Sequence, residues 1–330
     1  MTRIACLVAF AGAASLTATP SLADAVDDVL SAIEGHYAEA DTTLHAVRVE
    51  LAHTDDALYL EIVEKNNELA PIQVIATFHE SDRGVVARLH SYPPVVGDIL
   101  AMDLATLTNG LWAAPDVFPQ LLPGQLMPLG ESTVERSGDG LVIELRNAPN
   151  ASATTPYIDL RLAVADEQAS WRLAGRGFDG AELWTDVHEQ MEAVEVDPRV
   201  ERRDGMVIID IRRGQGVEIG DGDLVATHYV GTLADGRRVD ATFSFPGKSM
   251  ISGAFPDAYW EPLALGMRGM ACPTAVTDEN VNHRPIRRVI IPPSLGYGSE
   301  RAGLVPPDST LYYFVHVQSA LDRPSPKPER

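Results

Sequence analysis

The chain has 330 residues, 45% of them hydrophobic, and carries 26 Lys and Arg against 47 Asp and Glu for a formal net charge of −21. That apolar share is ordinary for a globular protein, and the length is a prior for two domains. The acid excess argues against a nucleic-acid partner, because phosphate binding needs clustered basic side chains, and it otherwise serves solubility.

The opening "MTRIACLVAFAGAASLTATPSLADA" has a positive start at Arg3, an apolar run from Ile4 to Leu16, and small residues at Ser21 and Ala23. This pattern predicts a secretory signal over residues 1–23, cleaved after Ala23 or, second, after Ala25; the apolar run is too short to span a bilayer. No later segment is apolar enough to be transmembrane, so the mature chain is expected to be exported, either periplasmic or secreted. Loss of Cys6 leaves Cys272 alone, so no internal disulfide is expected, and with Pro273 following and no His or Asn near in sequence the thiol reads as a bystander.

The first element, "DAVDDVLSAIE", sets Val26, Val29, Leu30 and Ile33 on one helical face and stops at Gly35. Alternation then takes over. "LHAVRVEL" is read with His45, Arg48 and Glu50 outward, and "ALYLEIVE", "PIQVIATFHE" and "GVVARLHSY" continue as strands, with "SDRG" and "SGDG" as hairpin turns. "VVGDILAMDLATLTNGLW" reads as more helical, with Ile99, Leu100, Met102, Leu104 and Leu107 ambiguous between the two periods. Strands resume at "STVERSGDGLVIELRN", "YIDLRLAVA" and "ASWRLAGRGFDGAELWTDV". Many short strands at this spacing predict an antiparallel barrel or sandwich. The glycines of "GRGFDG" fit a dinucleotide loop, but no helix follows, so the stretch reads as a turn. "HEQME" lacks the second His of a zinc motif, the nine His are scattered, and neither metal nor cofactor is expected.

Gly35-His36-Tyr37, "ALYLEIVE", "PIQVIATFHES" and "SWRLAGRGFDGAELW" together resemble the lipocalin-like barrels of the T-type phycobilin-lyase family over about residues 27–187. Those lyases carry a Pro-Tyr-Arg triplet where this chain has Pro71-Ile72-Gln73, so the resemblance implies a barrel and not lyase chemistry. Such a barrel either holds an apolar small molecule in its mouth or is packed solid as a docking module. "VEVDPRVERRDG" is charged and aperiodic, which puts a boundary near Pro198: a barrel over 24–198, a second domain over 199–322, and a disordered Pro-rich tail over 323–330.

In the second domain, "LVATHYVGTL" alternates, with Val225, Thr227 and Tyr229 on one face. Asp235-Gly236 makes a hairpin turn, and "PDAYWEPLALGM" is one short helix carrying Trp260, Leu263 and Met267. "IRRVIIPPSLGYG" and "GLVPPDSTLYYFVHVQSAL" finish as strands. A sheet with one helix packed on it is an α+β arrangement beside an all-β first domain. "HYVGTLADGRRVD", "VIIPPSLGYG" and "LVPPDSTLYYFVHV", in this order and spacing, resemble the FKBP-type peptidyl-prolyl cis-trans isomerases over about residues 200–321.

The resemblance implies an apolar cleft between sheet and helix. Trp260 would form its floor, and Tyr229, Val239, Val305, Tyr313 and Tyr297 its walls. Asp240 would sit at the rim, hydrogen-bonded to Tyr229, and Leu304 and Ala258 would touch substrate. Each proline pair stiffens a rim loop, and Gly296 and Gly298 allow a tight turn around Tyr297. The implied partner is a proline-containing polypeptide, and the implied function is X-Pro isomerisation during protein folding. This chain departs from the family pattern in several places. Val239 replaces an aromatic wall, and Pro256-Asp257 replaces a Val-Ile pair, removing one backbone donor. Lys248 is the nearest stand-in for an absent Arg, and "ACPTAVTDENVNHRP" reads as an insertion. These departures keep a second reading open, a proline-peptide binding chaperone with weak or no catalysis. A ligand carrier led by the first domain is a third.

Overall fold

The structure is a computed structural model that describes residues 22–64, 71–92, 106–138, 140–150, 154–196, 199–244, 247–248, 251–275, 277 and 283–321. The signal-peptide assignment up to residue 21, the boundary at Pro198, residues 95–105 of the helical reading of 95–112 and the tail expected over 323–330 lie outside the described residues. None of the described helices is long and apolar enough to cross a membrane.

Among the described residues, the N-terminal half is built on a first helix and an antiparallel sheet, with short helical turns between 106 and 125. Helix α1 is Leu22–Ile33. The strands are β1 (Gly35–Glu39), β2 (Thr42–Leu51), β3 (Thr54–Glu64), β4 (Ile72–Ser81), β5 (Gly84–Ser91), β6 (Met127–Thr133), β7 (Glu135–Ser137), β8 (Gly140–Pro149), β9 (Tyr157–Ala165), β10 (Gln168–Arg176) and β11 (Glu182–Ala193). Their order is β6-β5-β4-β3-β2-β1-β11-β10-β9-β8-β7. The sheet curls until its ends meet, where the Glu144 N–H of β8 donates to Ser132 Oγ of β6 at 3.1 Å. The result is a nearly closed barrel.

Side chains fill its interior. Leu44, Leu58, Leu60, Ile62, Leu89, Ile143, Leu160, Leu162, Trp171 and Met191 form one buried cluster that includes Val29, Leu30 and Ile33 of α1. The helix touches β4 and β5 on one side and β8 and β9 on the other, so it lies across one barrel end. Arg48 fastens it from β2, donating to Asp27 Oδ1 at 2.6 Å, Ser31 Oγ at 2.6 Å and Glu34 Oε2 at 3.0 Å.

The C-terminal half contains β12 (Val200–Arg203), β13 (Met206–Arg212), β14 (Val217–Glu218), β15 (Leu224–Leu233), β16 (Arg238–Ala241), β17 (Phe243–Ser244), β18 (Gly247–Lys248), β19 (Ile251–Ala254), helix α2 (Glu261–Met267), β20 (Ala271–Cys272), β21 (Ile286–Ile291) and β22 (Leu311–Leu321). Six strands run β12-β13-β21-β22-β15-β16, with β19 also paired to β15. Alternation splits each central strand between two faces. Val289, Ile291, Leu311, Tyr313, Val315 and Val317 pack toward α2. Ile290, Tyr312, Val207 and Ile209 pack toward the barrel. Helix and sheet approach closely because Gly266 carries no side chain; a Cβ there would lie 2.5 Å from Val289 Cγ1.

Two sequence expectations change here. His45 was read as outward and exposed, yet it is 3% exposed, because Trp112 stacks on it with ring centroids 3.6 Å apart and planes 3° from parallel. Strand β3 is more than half-buried: residues 57–62 are all buried. Leu58, Leu60 and Ile62 face the barrel core, while Ala57 and Tyr59 join Val47, Val49 and Ile75 under the segment 106–126 and the C-terminal sheet. A strand covered on both faces has a near-continuous apolar run.

Polar groups are buried in this seam. Arg288 is 0% exposed. Its Nε donates to Asn109 O at 3.1 Å, and its Nη2 donates to Asn109 O at 2.5 Å and to Thr106 O. Its guanidinium lies 5.4 Å from the Phe314 ring centroid. Glu61, at 1% exposure, accepts from Tyr59 OH, from the Gly110 N–H at 3.3 Å and from Gln73 Nε2 at 3.3 Å. Burial pushes the Glu61 carboxyl up to about 7 and the Arg288 guanidinium down to about 9. Beside them a cleft of about 540 Å³ opens between the halves, walled by His45, Trp112, Arg199, Asp210 and Arg213.

Candidate functional site

The site is assembled from four pieces of the C-terminal half. Trp260 stands immediately before α2 in an extended conformation, φ −62° and ψ 131°. The helix was expected to start at Pro256-Asp257. It starts at Glu261, with Pro262 in its first turn, the position where a missing N–H costs nothing. Residues 255–259 form a turn instead, held by the Ala258 N–H to Ala254 O at 2.8 Å and the Tyr259 N–H to Pro256 O at 2.9 Å. Tyr259 is buried and its hydroxyl donates to Val225 O at 2.7 Å, which ties the turn, and Trp260 after it, to β15.

Tyr229 comes from the middle of β15. Thr242 pins its backbone: the Tyr229 N–H donates to Thr242 Oγ1 at 2.9 Å, and the Thr242 N–H donates back to Tyr229 O at 3.0 Å. The Tyr229 hydroxyl donates to Asp240 Oδ2 at 3.0 Å. Tyr313 of β22 sits across the sheet from Gly231, and a Cβ at Gly231 would lie 2.7 Å from its ring. Glycine is therefore what lets the phenol lie flat on β15. Tyr229 and Tyr313 have ring centroids 5.7 Å apart, and Trp260 and Tyr313 are 6.1 Å apart at 47°. Tyr297 stacks on Trp260 at 5.1 Å and 8°. Burial and the nearby Asp240 carboxylate raise the Tyr229 and Tyr313 phenols, so both are neutral at physiological pH.

The loop holding Tyr297 is fixed by its own backbone. Gly296 and Gly298 donate to Pro292 O and Pro293 O at 3.0 and 2.9 Å, and Gly298 adopts φ 57°, a left-handed turn that glycine takes freely. The Asp308 N–H donates to Gly298 O at 2.7 Å, which joins the two proline-pair loops. Val305 is 5% exposed and packs into the same cluster, as does the half-buried Val239. Leu304 projects at 69% exposure, and Ala258 is exposed on the turn. Trp260, Tyr229, Tyr297, Tyr313, Val239 and Val305 thus share one aromatic cluster with Asp240 at its edge. Leu304 and Ala258 are exposed rather than packed into it. The Lys248 side chain and much of 271–285 fall outside the described residues. Cys272 is buried and desolvation raises its thiol to about 12, so it carries no nucleophile into this region. Sequence reasoning missed Tyr259 and Gly231. The Gly lies inside "HYVGTL", whose strand pairing with the "LYYFV" run is the signal that could have found it; nothing in sequence marks Tyr259.

The chain is 38% identical over 100 residues to mouse peptidyl-prolyl cis-trans isomerase FKBP10, which is 30% of this chain and 15% of that protein. It is 28% identical over 123 residues to FkpA, an FKBP-type peptidyl-prolyl cis-trans isomerase of Escherichia coli K12, covering 37% of this chain and 40% of FkpA. Both of these relatives are peptidyl-prolyl cis-trans isomerases, and each match covers about a third of this chain. The crystal structure of Escherichia coli FkpA is a solved neighbour, 25% identical, covering 39% of this chain and 54% of that one, with a TM-score of 0.31. No protein-family model matches the chain. This chain therefore spans well under half the length of these two curated relatives.

Proposed function

We propose that the protein is an exported peptidyl-prolyl cis-trans isomerase, with residues 1–23 as its signal, that accelerates X-Pro rotation in proline-containing polypeptides during folding. The carrying observation is the convergence of Trp260, Tyr229, Tyr313 and Tyr297 around the Asp240 edge. An X-Pro bond isomerises in tens to hundreds of seconds because amide resonance opposes rotation. The twisted transition state has lost that resonance and is less polar than the planar amide, so a dry aromatic cleft binds it better than water does. Lowering the barrier by about 5 to 6 kcal/mol gives roughly 10⁴-fold acceleration. No acid, base or nucleophile is required, in keeping with the neutral phenols lining the cluster. In this reading Trp260 is the floor, Tyr229, Tyr313, Val239 and Val305 are walls, Asp240 orients Tyr229, and the Tyr297 hydroxyl donates to a substrate carbonyl. Leu304 and Ala258 meet the peptide outside the cluster.

We infer a supporting role for the barrel. Its interior is occupied by side chains, and its outer face carries the isomerase sheet, which favours a packed scaffold over 24–198 joined to an isomerase unit over 199–322. A second reading, a binder of proline segments with little turnover, is favoured by Pro256, which offers no N–H, and by the Tyr297 ring lying on the indole. A protease-coupled proline-peptide assay on the full chain separates the two. Turnover that falls at least tenfold in Trp260→Leu supports the isomerase. Peptide binding without turnover in the parent protein leaves only the binder.

A further inference from the structure

The aromatic floor is covered by the protein's own side chain. Two parallel rings with centroids 5.1 Å apart are too close to lie side by side in one plane, so the Tyr297 phenol overlies part of the Trp260 indole. The indole is part-buried and packs against the C-terminal core, and the 38%-exposed Tyr297 lies over one of its faces. Backbone bonds hold the loop on both sides of Tyr297: Gly296 N–H to Pro292 O at 3.0 Å, Gly298 N–H to Pro293 O at 2.9 Å, and Glu300 N–H to Tyr297 O at 3.1 Å. Its neighbours in sequence are both glycines and crowd it with no side chain. The part free to move is the phenol, by rotation about χ1 between staggered wells.

We propose that Tyr297 is a displaceable cover over Trp260. A proline ring stacks on the indole only after the phenol has swung aside, so each binding event gives up one aromatic stack to form another. The inference rests on the proline-binding reading of the cleft for the identity of the ligand, and on ring geometry for the rest. Two consequences follow from the single residue. Its hydroxyl favours the bound peptide, and its ring opposes entry.

Two substitutions separate these effects, because both remove the hydroxyl and only one removes the ring. The dissociation constant of a Leu-Pro tetrapeptide is measured on full-length Tyr297→Phe and Tyr297→Ala by titration. Loss of one stacked pair is expected to make the alanine variant bind about 2- to 10-fold more tightly than the phenylalanine variant. In Tyr297→Phe, the Trp260 indole N–H NMR resonance is expected to move on peptide addition toward its position in peptide-free Tyr297→Ala. Equal or weaker binding by Tyr297→Ala overturns the proposal, and so does an indole resonance that ignores the peptide. The isomerase reading fails separately: tighter binding by the alanine variant with no turnover in any form keeps the cover and removes the enzyme. Normal turnover with no difference between the variants does the reverse. No peptide binding by any form overturns both.

Discussion

Replacing Glu61 by Gln should change how stability depends on pH, with a sign set by burial. Burial raises the Glu61 carboxyl to about 7 in the folded protein, against 4.5 for an ordinary glutamate. Tyr59, Gln73 and the Gly110 N–H donate to it, and Arg288, the Tyr92 and Tyr59 phenols and the cross-strand His45 are titratable groups around it, yet desolvation is the largest effect. The folded chain thus holds a proton that the unfolded chain has released between these two values. Unfolding releases that proton, so stability falls as pH rises through the window and is highest below it. The gap corresponds to roughly 3 kcal/mol between pH 4.5 and pH 8. Urea unfolding of the wild type and Glu61→Gln at several pH values measures it, because every other titration is common to both and cancels in the difference. Relative to the variant, the wild type should lose stability by about that amount as pH rises, with most of the change complete by pH 7.5. Arg288 keeps its charge throughout, since burial lowers it only to about 9. A difference that stays flat from pH 5 to pH 8 would refute the reasoning and show that Glu61 ionises as it does in water, paired with Arg288.

Gly231→Ala should push Tyr313 off β15, because the new Cβ would sit 2.7 Å from its ring; kcat/KM in the proline-peptide assay is expected to fall tenfold or more while the circular dichroism spectrum is unchanged. Gly110→Ala should destabilise the seam, since residue 110 adopts φ 78° and its Cβ would meet Ile211 Cγ1 at 2.7 Å. The expected loss is about 1 to 3 kcal/mol of unfolding free energy, read from urea titrations, with partial recovery in the double variant carrying Ile211→Val.

Most of the aromatic cluster was legible in sequence because its residues sit in three short motifs whose order and spacing carry over as a unit. Trp260, Tyr229, Tyr297 and Tyr313 meet even though 84 residues separate the first of them in sequence from the last, since β15 and β22 pair in register and bring Gly231 opposite Tyr313. The α2 boundary was misplaced because "PDAYWEPLALGM" is amphipathic throughout, and only Pro262 marks where the helix can begin. The seam was not legible at all. Periodicity reports how a strand shares its residues between two faces, and Tyr59 and Val47 read as ordinary strand positions until something distant covers them. Arg288 is an arginine in a strand, and His45 a histidine among apolar neighbours. Their burial depends on Asn109 and Trp112, which local pattern does not connect to them.

The way Arg288 is held has a bearing on how this protein could have arisen and how it can be engineered. A chain that began at residue 200 would bare Val207, Ile209, Ile290 and Tyr312 to water and strand a guanidinium without the carbonyls of Thr106 and Asn109. The two halves are therefore not interchangeable modules. Transplanting the C-terminal sheet onto another carrier would require a matching patch of greasy surface and two backbone carbonyl acceptors for Arg288, and drift on either side of the seam would have to be answered on the other.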